Sequence, residues 1–364
     1  MTQLSIRNIA FLTPGNYDDA DPRTGLEETL SLFEYGEALG FESAWVRQRH
    51  LEPGVSSAAT FLAAATQRTR RIGLGSAVIQ MGYENPFRLA EDLSLVDVLS
   101  GGRLNIGLSA GAPPFGKLLG ERLFDGDPAA IDFSHARVAR LAANIAGDWL
   151  GEPQARITSA AGEHRPRLRP HAQGLRQRLW YGGGSLRSAR WASENGFHLL
   201  LGNINTGEET DDFFETQRRH VETFRTHWRG PAEPRIAIGR VIVPLDGADA
   251  GTRQRYRDYA ASRQARTLAP QGERRTLIAP DIVGPAADIV ERLEADPVLR
   301  LVDTLRLELP YNFSLADHRQ ILTDFVELVA PRLGWRGQRP SAAERAPAGS
   351  AHLSDAAIAY HRSA

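Results

Sequence analysis

The stretch from Arg71 to Gly111, RIGLGSAVIQMGYENPFRLAEDLSLVDVLSGGRLNIGLSAG, constrains the fold more than any other part of the chain. An apolar run from Ile72 to Met81 leads into an amphipathic helix that opens at Pro86 and continues to Leu99. A Ser-Gly-Gly break follows, then a second apolar run from Leu104 to Leu108. This is a strand–helix–strand unit, the building block of parallel sheet, because parallel neighbours need a long crossover between them.

The unit repeats. Ile6–Leu12 reads as a strand, followed by a helix with Leu26, Leu30 and Phe33 on one face. Ser43–Val46 is a short strand and Ser57–Arg68 an alanine-rich helix. Beyond the opening unit, Ile131–Leu150 carries Val138, Leu141, Ile145 and Trp149 at helical spacing. Residues 151–177, rich in Pro, Arg and Gln, read as an excursion of hairpin type. Leu179–Tyr181 and Phe197–Leu201 supply strands five and six, with a helix Leu186–Asn195 between them. A long helix over Glu208–Trp228, strand seven at Ile236–Val243, strand eight at Leu301–Leu309 and a helix Leu315–Leu333 complete the series.

Eight apolar strands alternating with helices predict an α/β fold, a (β/α)8 TIM barrel with insertions at its C-terminal face. An open doubly wound sheet is disfavoured because strand one runs into Thr13-Pro14-Gly15 rather than a Gly-x-Gly-x-x-Gly turn. The division expected is a barrel over residues 1–334 and a flexible or loosely docked tail over 335–364, with at most one short helix near Ser354–Tyr360. Ala261–Pro280 is polar and weakly periodic, and reads as a mobile loop.

Composition removes several function classes. With no cysteine there is no disulfide, thiolate metal site or cysteine nucleophile, and no metal site is expected. A net charge of −1 gives no footprint for nucleic acid or an anionic membrane. All but one of the 43 basic residues are arginine, spread along the chain, with Lys117 the exception. The N-terminus lacks a secretory pattern and no apolar run is long enough to span a bilayer, so the expected location is the cytoplasm.

Barrels of this type bind ligands at the C-terminal ends of their strands. Those ends carry Arg47-Gln48-Arg49-His50, Gln80 to Asn85, Ser109-Ala110-Gly111 and Gly182-Gly183-Gly184-Ser185. The last runs directly into a helix, where glycine lets backbone N–H groups approach an anion and the helix dipole favours it. Ser185 and Ser188 then face one point on the first turn; the alternative is a tight turn with Ser185 as a plain N-cap. Asn85 before Pro86 likewise reads as an N-cap, a ligand contact, or both. Glu91 and Asp92 sit mid-helix, which points to structural pairing, and Trp180 reads as a barrel-core residue.

These residues resemble the bacterial luciferase-like, flavin-dependent monooxygenase family. The matching positions are Phe41 to Val46 with His50, Gly75 to Ile79, and Asn85-Pro86, Arg88 and Ala90-Glu91-Asp92 with Leu95. They continue through Leu99 to Arg103, Gly107 and Gly111, then Ser185 to Ala189 with Gly196, and Ile282 to Pro285 opening a late helix. The resemblance runs over roughly residues 5–335, its most specific block being Asn85–Gly111.

The resemblance implies an enzyme that uses reduced FMN and O2 to oxidise a small organic substrate, with reduced flavin supplied by a separate reductase. It implies FMN across the barrel mouth, its phosphate on Gly183, Gly184, Ser185 and Ser188, and its ring near Ala77, Val78, Asn85, Ser109 and Ala110. Ala77–Val78 matches a position where many relatives carry a non-prolyl cis peptide. His50 is the candidate for proton handling. Many relatives have two adjacent histidines, whereas this chain has Arg49-His50, so Arg49 is a candidate for stabilising an anionic flavin or substrate, or for pairing with Glu52. A homodimer packed through the helices after strands two and three is also implied. Two other readings stay open: a deazaflavin-dependent oxidoreductase that transfers hydride, and a non-catalytic flavin-binding barrel.

Overall fold

Eight parallel strands close on themselves in chain order: β1 (Asn8–Thr13), β2 (Ser43–Val46), β3 (Gly73–Gln80), β4 (Leu104–Ser109), β5 (Leu179–Gly182), β6 (His198–Leu201), β7 (Ile236–Arg240) and β8 (Thr304–Glu308). β1 closes the ring by pairing with both β2 and β8. The computed structural model describes residue 4 and residues 6–337; the expected tail helix near Ser354–Tyr360 lies outside the described residues. Strands in such a ring are covered on both faces, by the barrel interior and by the helices, so they read as unbroken apolar runs. Every residue of β2, β6 and β7 is buried.

The interior is packed with side chains. Trp45 and Trp180 meet edge to face, ring centres 5.7 Å apart, beside Ala10, Leu12, Ala77, Leu200 and Ala237. The Trp45 ring lies where a side chain at position 75 would go, since a Cβ on Gly75 would be 2.2 Å from it. Trp180 donates its indole N–H to Asn105 (3.2 Å), which makes it the barrel-core residue expected.

Short polar caps set where the helices begin, and so how strand ends turn outward. Ser57 caps Ala58–Arg68, Asn85 caps Pro86–Ser100, Ser185 caps Leu186–Glu194 and Asp212 caps Phe213–Thr226. Pro86–Ser100 ends at Gly101, whose φ of 71° is the left-handed cap position that glycine fills without strain.

Several boundaries differ from expectation. The helix expected over 131–150 is His135–Ala146, capped by Ser134 and ended by left-handed Gly147. Trp149 is therefore off the helix, with Arg165 and Arg167 over its ring. The excursion at 151–177 does contain a hairpin, Ile157–Ser159 against Gly162–His164. Strand seven stops at Arg240, whose guanidinium is buried against Asp296 and Gln217. Beyond it Ile242–Pro244 leaves the barrel and pairs with Ile282–Gly284.

The helix expected from Glu208 starts only at Phe213, because the Asp212 side chain takes the Phe214 and Glu215 N–H groups. The segment 261–280 is not simply a loop. Helix Ala250–Gln264 runs into it, and Thr276–Ile278 pairs antiparallel with Ile204–Thr206. That helix buries only Tyr256 and is tied down by charged pairs, Arg255 with Asp317 and Arg263 with Asp281, so it shows no apolar stripe.

Candidate active site

The C-terminal strand ends gather two clusters at one mouth. The first is built from β2, β3 and β8. Charged residues alternate with leucine along β8, so Arg306 and Glu308 share its interior face. Glu308 accepts from Arg47 (2.7 Å) and from Arg306 (3.3 Å), and all three lie at the inner wall of the mouth. Burial opposes ionisation of Glu308, yet the two guanidiniums hold its carboxyl below the usual carboxylate range.

Beside this ion cluster sits His50, stacked on Tyr83 with ring centres 3.8 Å apart. Its neighbour Gln48 is 4% exposed and makes three hydrogen bonds. The Gln48 amide oxygen accepts from Ala58 N–H (2.9 Å), so its NH2 faces the other way, donating to Glu84 (2.9 Å) and to Nε2 of His50 (3.0 Å). An amide nitrogen can only donate, so His50 Nε2 accepts and the neutral ring carries its proton on Nδ1. Burial pushes the His50 pKa down, keeping the ring neutral, and pushes the Glu84 carboxyl up.

Arg49 does not join His50. Its guanidinium is hydrogen-bonded to the Tyr311 hydroxyl, lies over that ring at 5.2 Å and sits 3.8 Å from Glu52. The loop holding Tyr83 and Glu84 is anchored from behind by Arg137, which donates to the Met81 (2.8 Å) and Glu84 (2.5 Å) carbonyls.

The second cluster is built from β4, β5 and the helix Leu186–Glu194. Ala110 donates its N–H to the Tyr181 hydroxyl (3.1 Å). Burial pushes the pKa of that hydroxyl up, opposed by the Ala110 N–H, the Ser188 side chain and the Arg187 charge. Tyr181, Ser188 and the end of β4 therefore converge at the start of one helix. His135 stacks on Trp191 behind them, 4.5 Å between centres. Ser185 accepts from Ser188 N–H (3.1 Å), as an N-cap does, and keeps its own O–H to donate. Gly183 has no room for a side chain, since a Cβ would meet Leu199 at 2.4 Å, whereas a Cβ on Gly184 would meet nothing nearer than the Ile204 carbonyl at 3.9 Å.

Between the clusters lies Ala77–Val78, where the β3–β4 register shifts and the peptide is cis. The Val78 side chain reaches across Gly107 and Gly182 on the next two strands, leaving a floor of small residues at the mouth. Ser109 and Ala110 are half-buried at its edge. Asn85 commits its side-chain oxygen to the Phe87 (2.9 Å) and Arg88 (3.2 Å) N–H groups, the cap reading. Glu91 and Asp92 both pair with Arg88, as structural pairing predicts. Among the described residues, no group of three or more His, Asp or Glu is placed to hold a metal ion.

Sequence reasoning passed over Arg306, Glu308 and Tyr311, and took in Tyr83 and Glu84 only as part of the strand-end segment Gln80 to Asn85. The alternation Leu305-Arg306-Leu307-Glu308 was the signal for the first two, since charge at every second residue of a covered strand must be paired inside. Glu208 was also missed. It accepts the Leu186 N–H (2.6 Å) at the start of the second cluster's helix.

Comparison with known proteins is consistent with this layout. Over 105 residues the chain is 40% identical to limonene 1,2-monooxygenase of Rhodococcus erythropolis, covering 28% of this chain and 27% of that protein. The curated relatives at this level of identity are matched over less than a third of their own length. The structure superposes with a TM-score of 0.63 and 15% identity on the FMN complex of the oxygenating constituent of 3,6-diketocamphane monooxygenase from Pseudomonas putida, covering 90% of this chain and 98% of that one. An F420-dependent secondary alcohol dehydrogenase superposes with a TM-score of 0.58 and 15% identity, over 91% and 99%. Residues 7–297 match the family described as luciferase-like monooxygenase, and the chain belongs to that family.

Proposed function

We propose that this protein is a flavin-dependent monooxygenase that takes up reduced FMN and O2 and oxidises a small organic substrate. The observation that carries this is the second cluster: an open glycine turn, two serines and a helix start converging beside a floor of small residues. Gly183, Gly184, Ser185 and Ser188 would hold the phosphate, by backbone N–H groups and hydroxyls. Arg187, exposed on the same turn, would supply positive charge to that phosphate. Ala77, Val78, Ser109 and Ala110 would face the ring, with the free amide nitrogen of Asn85 at its edge. When bound, reduced flavin supplies two electrons to O2, so that one oxygen atom enters the substrate and the other leaves as water.

The chain's own residues then do three things. The floor and the strand ends orient the ring and exclude water. His50, neutral and held by Gln48, presents its Nδ1–H as a donor at the mouth and would take up a proton only at Nε2, by giving up the Gln48 contact. Arg49, braced by Tyr311, places positive charge beside the mouth. Reduced flavin would come from a separate reductase. The exposed Phe87, Leu95, Val98 and Leu99 on helix Pro86–Ser100 would face a second copy in a homodimer, which light scattering checks.

The test is titration of the purified protein with FMN and with the deazaflavin, followed by oxygen uptake with reduced FMN and a substrate panel. Saturable FMN binding with product formation supports the reading. The fold shared with an F420-dependent dehydrogenase favours a second reading, hydride transfer by a deazaflavin, which binding of that cofactor and not FMN would establish. FMN binding without turnover of any substrate would leave a binding barrel.

A further inference from the structure

The turn that would take the phosphate already holds an anion belonging to the protein. Glu208 Oε2 accepts from the Leu186 N–H, the first of the helix Leu186–Glu194, at 2.6 Å. The loop bearing Glu208 is pinned to that turn by Thr206 N–H, which donates to the Gly184 carbonyl (2.9 Å), and is held from the other side by Gly207 N–H on the Arg275 carbonyl (2.8 Å). The same carboxylate oxygen lies 3.6 Å from Nε2 of His220.

His220 is 1% exposed, and neither of its ring nitrogens has a hydrogen-bond partner. Buried polar groups are nearly always paired, so an imidazole left without a partner needs a reason. Thr216, one turn earlier on the same helix, also buries an unpartnered hydroxyl. Less than about 1 Å of travel would bring Glu208 into hydrogen-bond range of the His220 ring. The carboxylate thus stands between two partners, the Leu186 N–H that it holds and a buried imidazole that would take it once it swings off the turn.

We propose that Glu208 occupies the turn when no phosphate is present and moves onto His220 when one arrives, so that the cofactor is exchanged rather than retained. This rests on the reading that Gly183–Ser188 takes a cofactor phosphate. The Leu186 N–H has a single hydrogen, and two anions brought to one helix start repel each other. Phosphate binding therefore includes the cost of moving the carboxylate, and His220 keeps that cost small. Weak, reversible holding suits an enzyme that receives its flavin reduced and must release it oxidised in every cycle.

The test compares FMN with riboflavin, which has the ring but lacks the phosphate, by quenching of flavin fluorescence on the full chain. In Glu208→Gln, FMN should bind about tenfold more tightly and dissociate more slowly, with riboflavin unchanged. In His220→Leu, FMN should bind several-fold more weakly. Adding Glu208→Gln to His220→Leu should abolish that loss, because no carboxylate is left to move. Should His220→Leu fail to fold, the Glu208→Gln arm decides alone. Unchanged or weaker FMN binding in Glu208→Gln, with wild type still preferring FMN over riboflavin, overturns the inference and leaves the phosphate reading standing. A wild type that binds both flavins equally overturns the phosphate reading, and this inference with it.

Discussion

Two glutamates at the same barrel mouth are held in opposite ways. Glu308 ends β8 with 3% exposure, between Arg47 and Arg306, and a Cβ on neighbouring Gly239 would be 2.1 Å from its oxygen. Glu208 stands on an exposed loop, on one backbone N–H, with a second partner close by. Charge on the β8–β2 side is part of the fold and cannot change partners without leaving the buried Arg306 guanidinium behind. Charge on the β5–β6 side can respond to a ligand. The mouth therefore divides into a fixed half, where His50 sits, and an adaptable half, where a phosphate would dock.

The sharpest way to break this division is to neutralise each glutamate in turn. Glu308→Gln leaves the buried Arg306 and the half-buried Arg47 short of a counter-charge and should cost about 3 kcal/mol of stability. Glu208→Gln should change stability by less than about 1 kcal/mol, the scale of a charge at an exposed helix start. Urea unfolding of both variants checks this, and similar losses in the two would erase the distinction.

Within the fixed half, Gln48→Glu tests whether His50 is held in one protonation state. A carboxylate can only accept, so His50 Nε2 would have to carry a hydrogen and the ring would be drawn toward its charged form. Burial keeps the wild-type ring neutral down to a pH below the ordinary histidine value of 6.5. The variant's acid limb should move above that value, with turnover at neutral pH down several-fold. NMR titration of His50 reads the same shift without any substrate. Superimposable titrations in wild type and variant would show that Gln48 does not set the ring's state.

The fixed half was partly legible in the sequence and the adaptable half much less so. Strands such as Ser43–Val46 and Leu104–Ser109 stood out because covered strands are apolar throughout and Gly or Ser breaks bound them. The Leu-Arg-Leu-Glu alternation in β8 carried a signal of buried charge that went unread, and nothing local to it marked Arg47, 261 residues away, as the partner. Helix Ala250–Gln264 left no periodic trace because charge pairs, not an apolar stripe, hold it. Glu208 was hidden for a different reason. Apolar spacing placed it inside a helix, and only the Asp212 cap shows that the helix begins five residues later. Caps are local choices of a single side chain, and periodicity does not register them.

Lowering the pH should separate the two kinds of buried group. Burial pushes His198 and His220 down to about 4, against 6.5 in the unfolded chain. A histidine with a depressed pKa binds fewer protons folded than unfolded. Its contribution is thus complete above pH 6.5 and is lost as pH falls toward 4. Each should account for roughly 3 kcal/mol across that window. Glu308, also depressed, loses its contribution only below the ordinary carboxylate value of 4.5. Unfolding free energy should therefore begin to fall below pH 6.5, and less steeply in His198→Gln. A flat profile between pH 6.5 and 5 would contradict the burial of both rings.

The smallest effect probes the adaptable half at Ser185, where a cap and a phosphate contact make different demands on one hydroxyl. As a cap, Ser185 accepts the Ser188 N–H at 3.1 Å. Replacing such a cap by alanine costs about 1 kcal/mol, by glycine only a few tenths, because glycine lets water reach the exposed N–H groups. A phosphate contact uses the O–H instead, which neither variant has. If Ser185 only caps, Ser185→Gly should match wild type in both stability and FMN affinity. If it also donates to phosphate, Ser185→Gly should keep its stability yet bind FMN about fivefold more weakly, with riboflavin unchanged. We expect the second result, since the Oγ–H is left free by the cap and sits on the turn where Tyr181, Ser188 and Gly184 converge. Wild-type FMN affinity in a stable Ser185→Gly protein would reduce Ser185 to a helix cap and shift the phosphate's hold onto backbone N–H groups alone.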